Sequence, residues 1–357
     1  MSSGVTSKRP GETAFELGTM LHQDGLEGLR NLFERAIESG YSDGPVEIAA
    51  FMTEHQLQTA LEAYLFAARS SEEHYAALAE VEVGHLLEDA DPKTAADAYL
   101  RAIDSGDADA SPLAAFLMGE WLERMDSDRV RDFYALAINS EHPRVAPRAA
   151  LRLGYYALES DPYEALQAFQ YAEEHGDPEQ TATAAFARGT LLMNVDAKAA
   201  QEDFEKVLAS GDDFLVPAAA MMVGWLVADE APERAQELFT LAAETTDHPA
   251  AARAQLELGL LAEEWESWLR EAAASDDTDT AVRALAFLGL RMAEEGREAE
   301  AEAVLERAVQ FGDHVAVRAA DGILAMLRDP ALTAQDAVRM YVEELRPDQP
   351  SLPLAES

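Results

Sequence analysis

Imidazoles and carboxylates are the side chains in this sequence that could ligate a metal or move a proton. Eight histidines occur (His22, His55, His74, His85, His142, His175, His248 and His314) against 68 Asp and Glu residues. No two histidines stand four apart with an acid beside them, the arrangement that lets one helix face bind zinc. His142, His175, His248 and His314 fall between helical stretches, where turn chemistry accounts for them. Acids are so frequent that a carboxylate pair for acid–base catalysis can be chosen anywhere, so no pair is informative. No Gly-rich phosphate loop, Gly-X-Ser-X-Gly elbow or EF-hand spacing is present. Cysteine is absent, which excludes disulfides, thiolate metal sites and a cysteine nucleophile. The expectation is a non-enzymatic protein with no catalytic, cofactor-binding or metal-ligating residue and no cofactor.

The scaffold that carries these residues is legible in the composition. Of 357 residues, 48% are hydrophobic and only 8% aromatic, with alanine dominating the apolar fraction. That mixture suits helices packed closely through small residues and disfavours a β-rich chain. The 27 basic and 68 acidic residues leave a net charge of −41, which argues against direct nucleic-acid binding, because neutralising phosphates needs a surplus of Lys and Arg. Lysine is confined to Lys8, Lys93, Lys198 and Lys206. No run of about 18 uncharged apolar residues suggests a membrane span. Residues Met1 to Pro10 lack the apolar stretch of a secretory leader, so a soluble, cytoplasmic protein is expected.

The order in the chain comes from a repeat. Glycines stand at Gly84, Gly119, Gly154, Gly189, Gly224 and Gly259, each 35 residues after the last, with Gly18 before them and Gly289 following after 30. Beyond them runs a second ladder: Ala95, Tyr99, Ala102; Ala165, Phe169, Ala172; Ala200, Phe204, Val207; Ala235, Phe239, Ala242. Steps of four and three place each triplet on one helical face. Asp91, Asp126, Asp161 and Asp196 are spaced to cap a second helix, and Pro92, Pro162 and Pro232 follow at the first helical position. Gly106, Gly176, Gly211 and Gly312 are expected to stop that second helix in a left-handed conformation. Pro112, Pro147 and Pro217 then restart the next first helix.

This pattern resembles the tetratricopeptide (TPR) repeat and the related Sel1-like repeats: Leu-Gly in the first helix, small residues and an aromatic in the second, a proline-marked junction. The Ala-rich, Lys-poor usage resembles repeats of high-GC actinobacteria. The resemblance covers residues 11–345 and implies an all-α fold, an α–α superhelix (TPR-like solenoid) of about ten helix-turn-helix units. Residues 1–10 and the Pro-rich 346–357 read as disordered tails. The period departs from the family norm by one residue.

The resemblance also implies that first-helix positions −6, −3, +1, +4 and +5 from each glycine face a concave groove that binds other proteins. Position +1 carries Thr19, His85, Glu120, Tyr155, Thr190, Trp225, Leu260 and Leu290; position −3 carries Phe116, Phe186 and Met221 among others. Arg148, Arg253 and Arg283 stand at −6. Phe116, Glu120, Arg148, Tyr155, Thr190, Trp225 and Arg253 are therefore the candidate partner-binding residues. Against this, the −3 residues also read as core, since apolar stripes at helical spacing usually pack inward. Acids at +4 and +5, such as Glu88, Asp89, Glu123 and Glu159, form an acidic edge that either solvates the surface or recruits a basic partner. The Lys and Asn of chaperone-binding relatives are missing at +1, which argues against binding the acidic tails of heat-shock proteins. Five residues are missing between Gly259 and Gly289, and Trp265 and Trp268 there either repair the packing or form a second, specialised surface. Two functions follow as expectations: an interaction scaffold taking a basic peptide or helix, or an acidic inhibitor that mimics nucleic acid and occupies a DNA- or RNA-binding protein.

Overall fold

The computed structural model describes residues 73–328 except 246–247 and 312–314, together with 19, 61, 64, 65 and 67–69. The expected tails at 1–10 and 346–357, most of the first two repeat units, Gly312, and His22, His55 and His314 lie outside the described residues. Among the described residues every regular element is an α-helix. The chain divides into two compact units, Met1–Gln180 and Thr181–Ser357. The first holds α1 (Glu73–Leu87), α2 (Pro92–Asp104), α3 (Ala110–Arg124), α4 (Val130–Asn139), α5 (Val145–Ala157) and α6 (Pro162–His175). The second holds α7 (Pro178–Leu192, all but its first three residues), α8 (Ala197–Ser210), α9 (Leu215–Val227), α10 (Pro232–Ala243), α11 (Pro249–Leu261), α12 (Trp265–Ala272), α13 (Thr278–Glu294), α14 (Glu298–Val309) and α15 (Val315–Leu327). The protein is thus an all-α array of TPR-like helix-turn-helix repeats.

Local chemistry sets most helix ends. Asp91, Asp161 and Asp196 each accept a backbone N–H three residues on, at Thr94, Glu164 and Ala199, satisfying a donor the first turn leaves free. Asp126 is a correction: it takes a left-handed φ of 51° at the end of α3, and α4 starts after Arg129 with no side-chain cap. Gly106 and Gly211 are left-handed as expected, at φ 65° and 71°. Gly176 is not. It leaves α6 extended, because α7 begins two residues later and Asp177 already caps it through the Gln180 N–H at 2.9 Å. The junction histidines join this scheme. His142 Nδ1 accepts the N–H of Val145 at 3.2 Å, and His248 Nδ1 accepts that of Ala250 at 3.0 Å.

The glycine ladder is where the two helices of a repeat touch. A Cβ on Gly84 would lie 2.8 Å from the Tyr99 ring, on Gly119 2.7 Å from Tyr134, on Gly154 2.5 Å from Phe169, and on Gly224 2.6 Å from Phe239. All twelve members of the second ladder are fully buried. In the first unit α1, α3 and α5 lie side by side and the second helices pack on them; in the second unit α9, α11, α13 and α15 do the same. Where Gly259 and Gly289 should meet aromatics, Leu269 and Leu305 fill the space, and α12 is only eight residues long. The five missing residues therefore come out of the turn and the start of a second helix.

Candidate functional site

Most first helices bury the −3 residue more deeply than the +1 residue, because these positions stand on neighbouring faces of one helix; Leu151 and Phe186 at −3 are only partly buried. Val81, Phe116, Met221 and Leu256 are buried, while Glu120, Tyr155, Thr190, Trp225 and Leu260 keep partial exposure and His85 is exposed. Phe116 is a correction: it is fully buried against Tyr134, with ring centroids 6.1 Å apart. It offers no surface to a partner. Leu290 and Arg283 are also buried, Arg283 with both Asp279 oxygens 2.9 Å from its Nε.

In the first unit two acids of the edge, Glu88 and Glu123, are structural joints. Glu88, 7% exposed, accepts the Tyr99 hydroxyl at 2.6 Å and bridges Arg124 of the next first helix. One repeat on, Glu123 accepts the Tyr134 hydroxyl at 2.6 Å and Arg152 Nη2 at 3.0 Å. Burial, and then bonding to these carboxylates, holds both tyrosine hydroxyls far above their usual range. A short-range sequence signal marks these joints. Tyrosine at +15 accompanies Glu at +4 (Tyr99 with Glu88, Tyr134 with Glu123). Phenylalanine at +15 accompanies an apolar residue there: Leu158, Met193 and Ala228 with Phe169, Phe204 and Phe239.

Beside these satisfied joints lies a patch that is not satisfied. Glu120 on α3 has a side chain 22% exposed, with Arg148 Nη2 at 3.9 Å and Arg152 Nε at 3.8 Å. Both distances exceed a hydrogen bond. Desolvation raises the Glu120 carboxyl above its ordinary value, against the pull of the two arginines. Arg152 Nε is buried with no hydrogen-bond partner among the described residues. The Arg148 guanidinium stacks over the Phe116 ring, 4.4 Å from its centroid. Tyr155 packs edge-on against Phe169 at 5.2 Å, and burial pushes its hydroxyl up. The structure thus brings Phe116, Glu120 and Arg148 together in the first unit, with Arg152, absent from the sequence-based candidates, at the centre.

The other candidates are placed within the second unit. The Thr190 hydroxyl donates to the Phe186 carbonyl at 2.8 Å. Trp225 lies partly buried on the core of its own unit. Arg253 Nε stands 3.7 Å from Asp277. Trp265 and Trp268 are partly buried and pack on two different core clusters. Trp265 also carries Arg291 over its ring, 5.4 Å from the centroid. Among the described residues no helix is long and apolar enough to cross a membrane.

No protein-family model and no curated protein matches the sequence. Among solved structures, the chain is similar to a protective antigen present in uropathogenic Escherichia coli strains that displays an SLR (Sel1-like repeat) fold. The identity is 16%, over 97% of this chain and 89% of that one, with a TM-score of 0.45. The repeat architecture of this chain rests on its own helices.

Proposed function

We propose that the chain is a cytoplasmic, non-enzymatic interaction scaffold that takes a peptide or helix of a protein partner on its first-helix face. The observation carrying this reading is the contrast within the first unit. Glu88 and Glu123 each accept a tyrosine hydroxyl and meet an arginine within hydrogen-bond distance, whereas Glu120 is desolvated with, among the described residues, no donor in hydrogen-bond range. A basic side chain of the partner completes Glu120, and Tyr155 supplies an aromatic contact with a polar tip. The net charge of −41 steers a basic segment toward the face and makes the encounter salt-sensitive. Trp225, Thr190 and Arg253 form a separate candidate surface in the second unit.

The test is a tagged pull-down from native lysate with a salt-step elution, then affinity measurement on the partner recovered. Glu120→Gln and Tyr155→Ala are each expected to weaken binding about tenfold, which corresponds to about 1.4 kcal/mol, with helicity unchanged. Binding unaffected by both, or a set of nucleic-acid-binding proteins displaced together by DNA, would replace this reading with charge mimicry.

A further inference from the structure

Two imidazoles and two carboxylates from three junctions meet at the edge of the first unit. His74 stands in the first turn of α1, Asp107 and Asp109 lie between α2 and α3, and His142 precedes α5. His74 Nδ1 is 2.9 Å from Asp107 Oδ2, and His142 Nε2 is 3.1 Å from Asp109 Oδ1. One ligand atom from each of His74, Asp107 and Asp109 lies within 4.8 Å of the other two. Among the described residues no lysine or arginine bridges either carboxylate; their side-chain partners are these histidines.

The groups are oriented from behind. Asp107 Oδ1 accepts the N–H groups of Asp109 and Ala110 at 3.0 and 2.9 Å, which leaves Oδ2 turned toward His74. His142 Nδ1 accepts the N–H groups of Arg144 and Val145 at 3.3 and 3.2 Å. That fixes its proton on Nε2, so the ring donates to Asp109 and is not itself a ligand. His74 Nδ1 donates to the Asp107 carboxylate, and the side chain is 47% exposed, so that proton has a route to solvent or to Nε2.

We propose that His74 Nδ1, Asp107 and Asp109 bind one divalent cation of the zinc class, with His142 as a positioning residue for Asp109. The cation takes the place of the proton between His74 Nδ1 and Asp107 Oδ2, and that proton moves to solvent or to His74 Nε2. A nitrogen ligand beside two carboxylates selects zinc, cobalt or nickel over magnesium and calcium. Three protein ligands leave the remaining positions to water. Bonded outer groups behind a ligating carboxylate are the arrangement that fixes ligand direction in metal sites. Bound metal pins the start of α1 to the α2–α3 junction, one repeat away. Ligands 33 residues apart match no local zinc spacing, so sequence motifs do not show the site.

The experiment is calorimetric titration of the full chain with zinc chloride in excess magnesium, repeated with cobalt(II) read by its visible absorption. One saturable equivalent is expected, with a cobalt band characteristic of nitrogen and oxygen ligands. His74→Gln and Asp109→Asn should each weaken it at least tenfold, and His142→Ala by about tenfold, the usual effect of removing an outer-shell partner. Asp276→Asn, an exposed acid of the second unit, should leave it unchanged. Diffuse uptake without a single equivalent, or a titration identical in His74→Gln, would overturn the proposal. Circular dichroism of each variant separates loss of ligand from loss of fold.

Discussion

Gly154→Ala isolates the contact that defines the repeat. The added methyl would stand 2.5 Å from Cε1 and 2.6 Å from Cδ1 of Phe169, roughly 1 Å inside van der Waals contact. Phe169 is fully buried, so its ring cannot swing into solvent and α5 must move off α6. Overpacking of this kind costs about 1–3 kcal/mol. Replacing a mid-helix glycine by alanine returns about 1 kcal/mol of helix propensity, leaving a net loss of up to about 2 kcal/mol. Gly189→Ala is the internal control. Its methyl would meet Phe204 at 3.0 to 3.2 Å, a half-ångström shift relieves it, and the propensity gain roughly cancels the cost. Because arrays of repeats need not unfold in one step, the assay is hydrogen exchange followed by mass spectrometry on peptides of α5–α6 and α7–α8. Gly154→Ala should speed exchange in its own hairpin by about tenfold or more, the factor that 1.4 kcal/mol represents. Gly189→Ala should leave its hairpin nearly unchanged. Equal effects in the two, or a slower exchange in Gly154→Ala, would show that the ladder records propensity or descent and not close packing.

Two further outcomes follow from the polar joints. Tyr99→Phe or Glu88→Leu alone strands a buried partner and should cost about 1–3 kcal/mol, whereas the double variant copies the Phe169–Leu158 joint and should cost much less than the sum; chemical denaturation of the four proteins measures the coupling. Hydrogen bonds from Arg297 and Arg270 lower the Glu266 carboxyl from 4.5 to about 2, so its contribution is present above the ordinary value and lost as pH falls through the lowered one. The protection of α12 against exchange, taken relative to the intrinsic rate at each pH, should therefore fall between pH 4.5 and 2 in the parent protein, with that fall absent in Glu266→Gln.

What could be read in advance was whatever repeats. Six glycines at one period, the buried triplets beyond them and the aspartates at 91, 161 and 196 each encode a local requirement, so spacing alone places them. The failures sit where two local requirements compete. Asp126 has the spacing of a cap, but the chain turns left-handed there and α4 starts late. Gly176 has the spacing of a stop, but the immediate start of α7 leaves no room for one. Phe116 has the spacing of a groove residue, yet −3 turns toward the second helix and is buried. The acidic edge was visible as composition, but its partners were not. Tyr99 stands on the buried ladder, and nothing about a ring at +15 announces that its hydroxyl, or that of Tyr134 one repeat on, reaches an acid eleven residues earlier. Arg152 escaped for a related reason: its partners Glu120 and Glu123 lie on the preceding first helix, about one repeat away in sequence.

The two kinds of joint divide the labour of stacking. At Gly84 and Gly119 the second helix carries tyrosine, and a hydroxyl, a carboxylate and an arginine of the next first helix must all meet. A buried arrangement of this kind adds little net stability over an apolar one of equal volume, because desolvation offsets much of the attraction. It does penalise any register that leaves a member unpaired. At Gly154, Gly189 and Gly224 phenylalanine meets Leu158, Met193 and Ala228, and burial of apolar surface holds the hairpin without specifying a polar partner. Arginine outnumbers lysine in these joints because a planar fork can serve two acceptors at once, as Arg152 faces Glu123 and Glu120 together. The acids that stabilise the first unit are therefore the ones unavailable for recognition. Glu120 differs from them in one respect: the next first helix brings two cations near it and completes a hydrogen bond with neither.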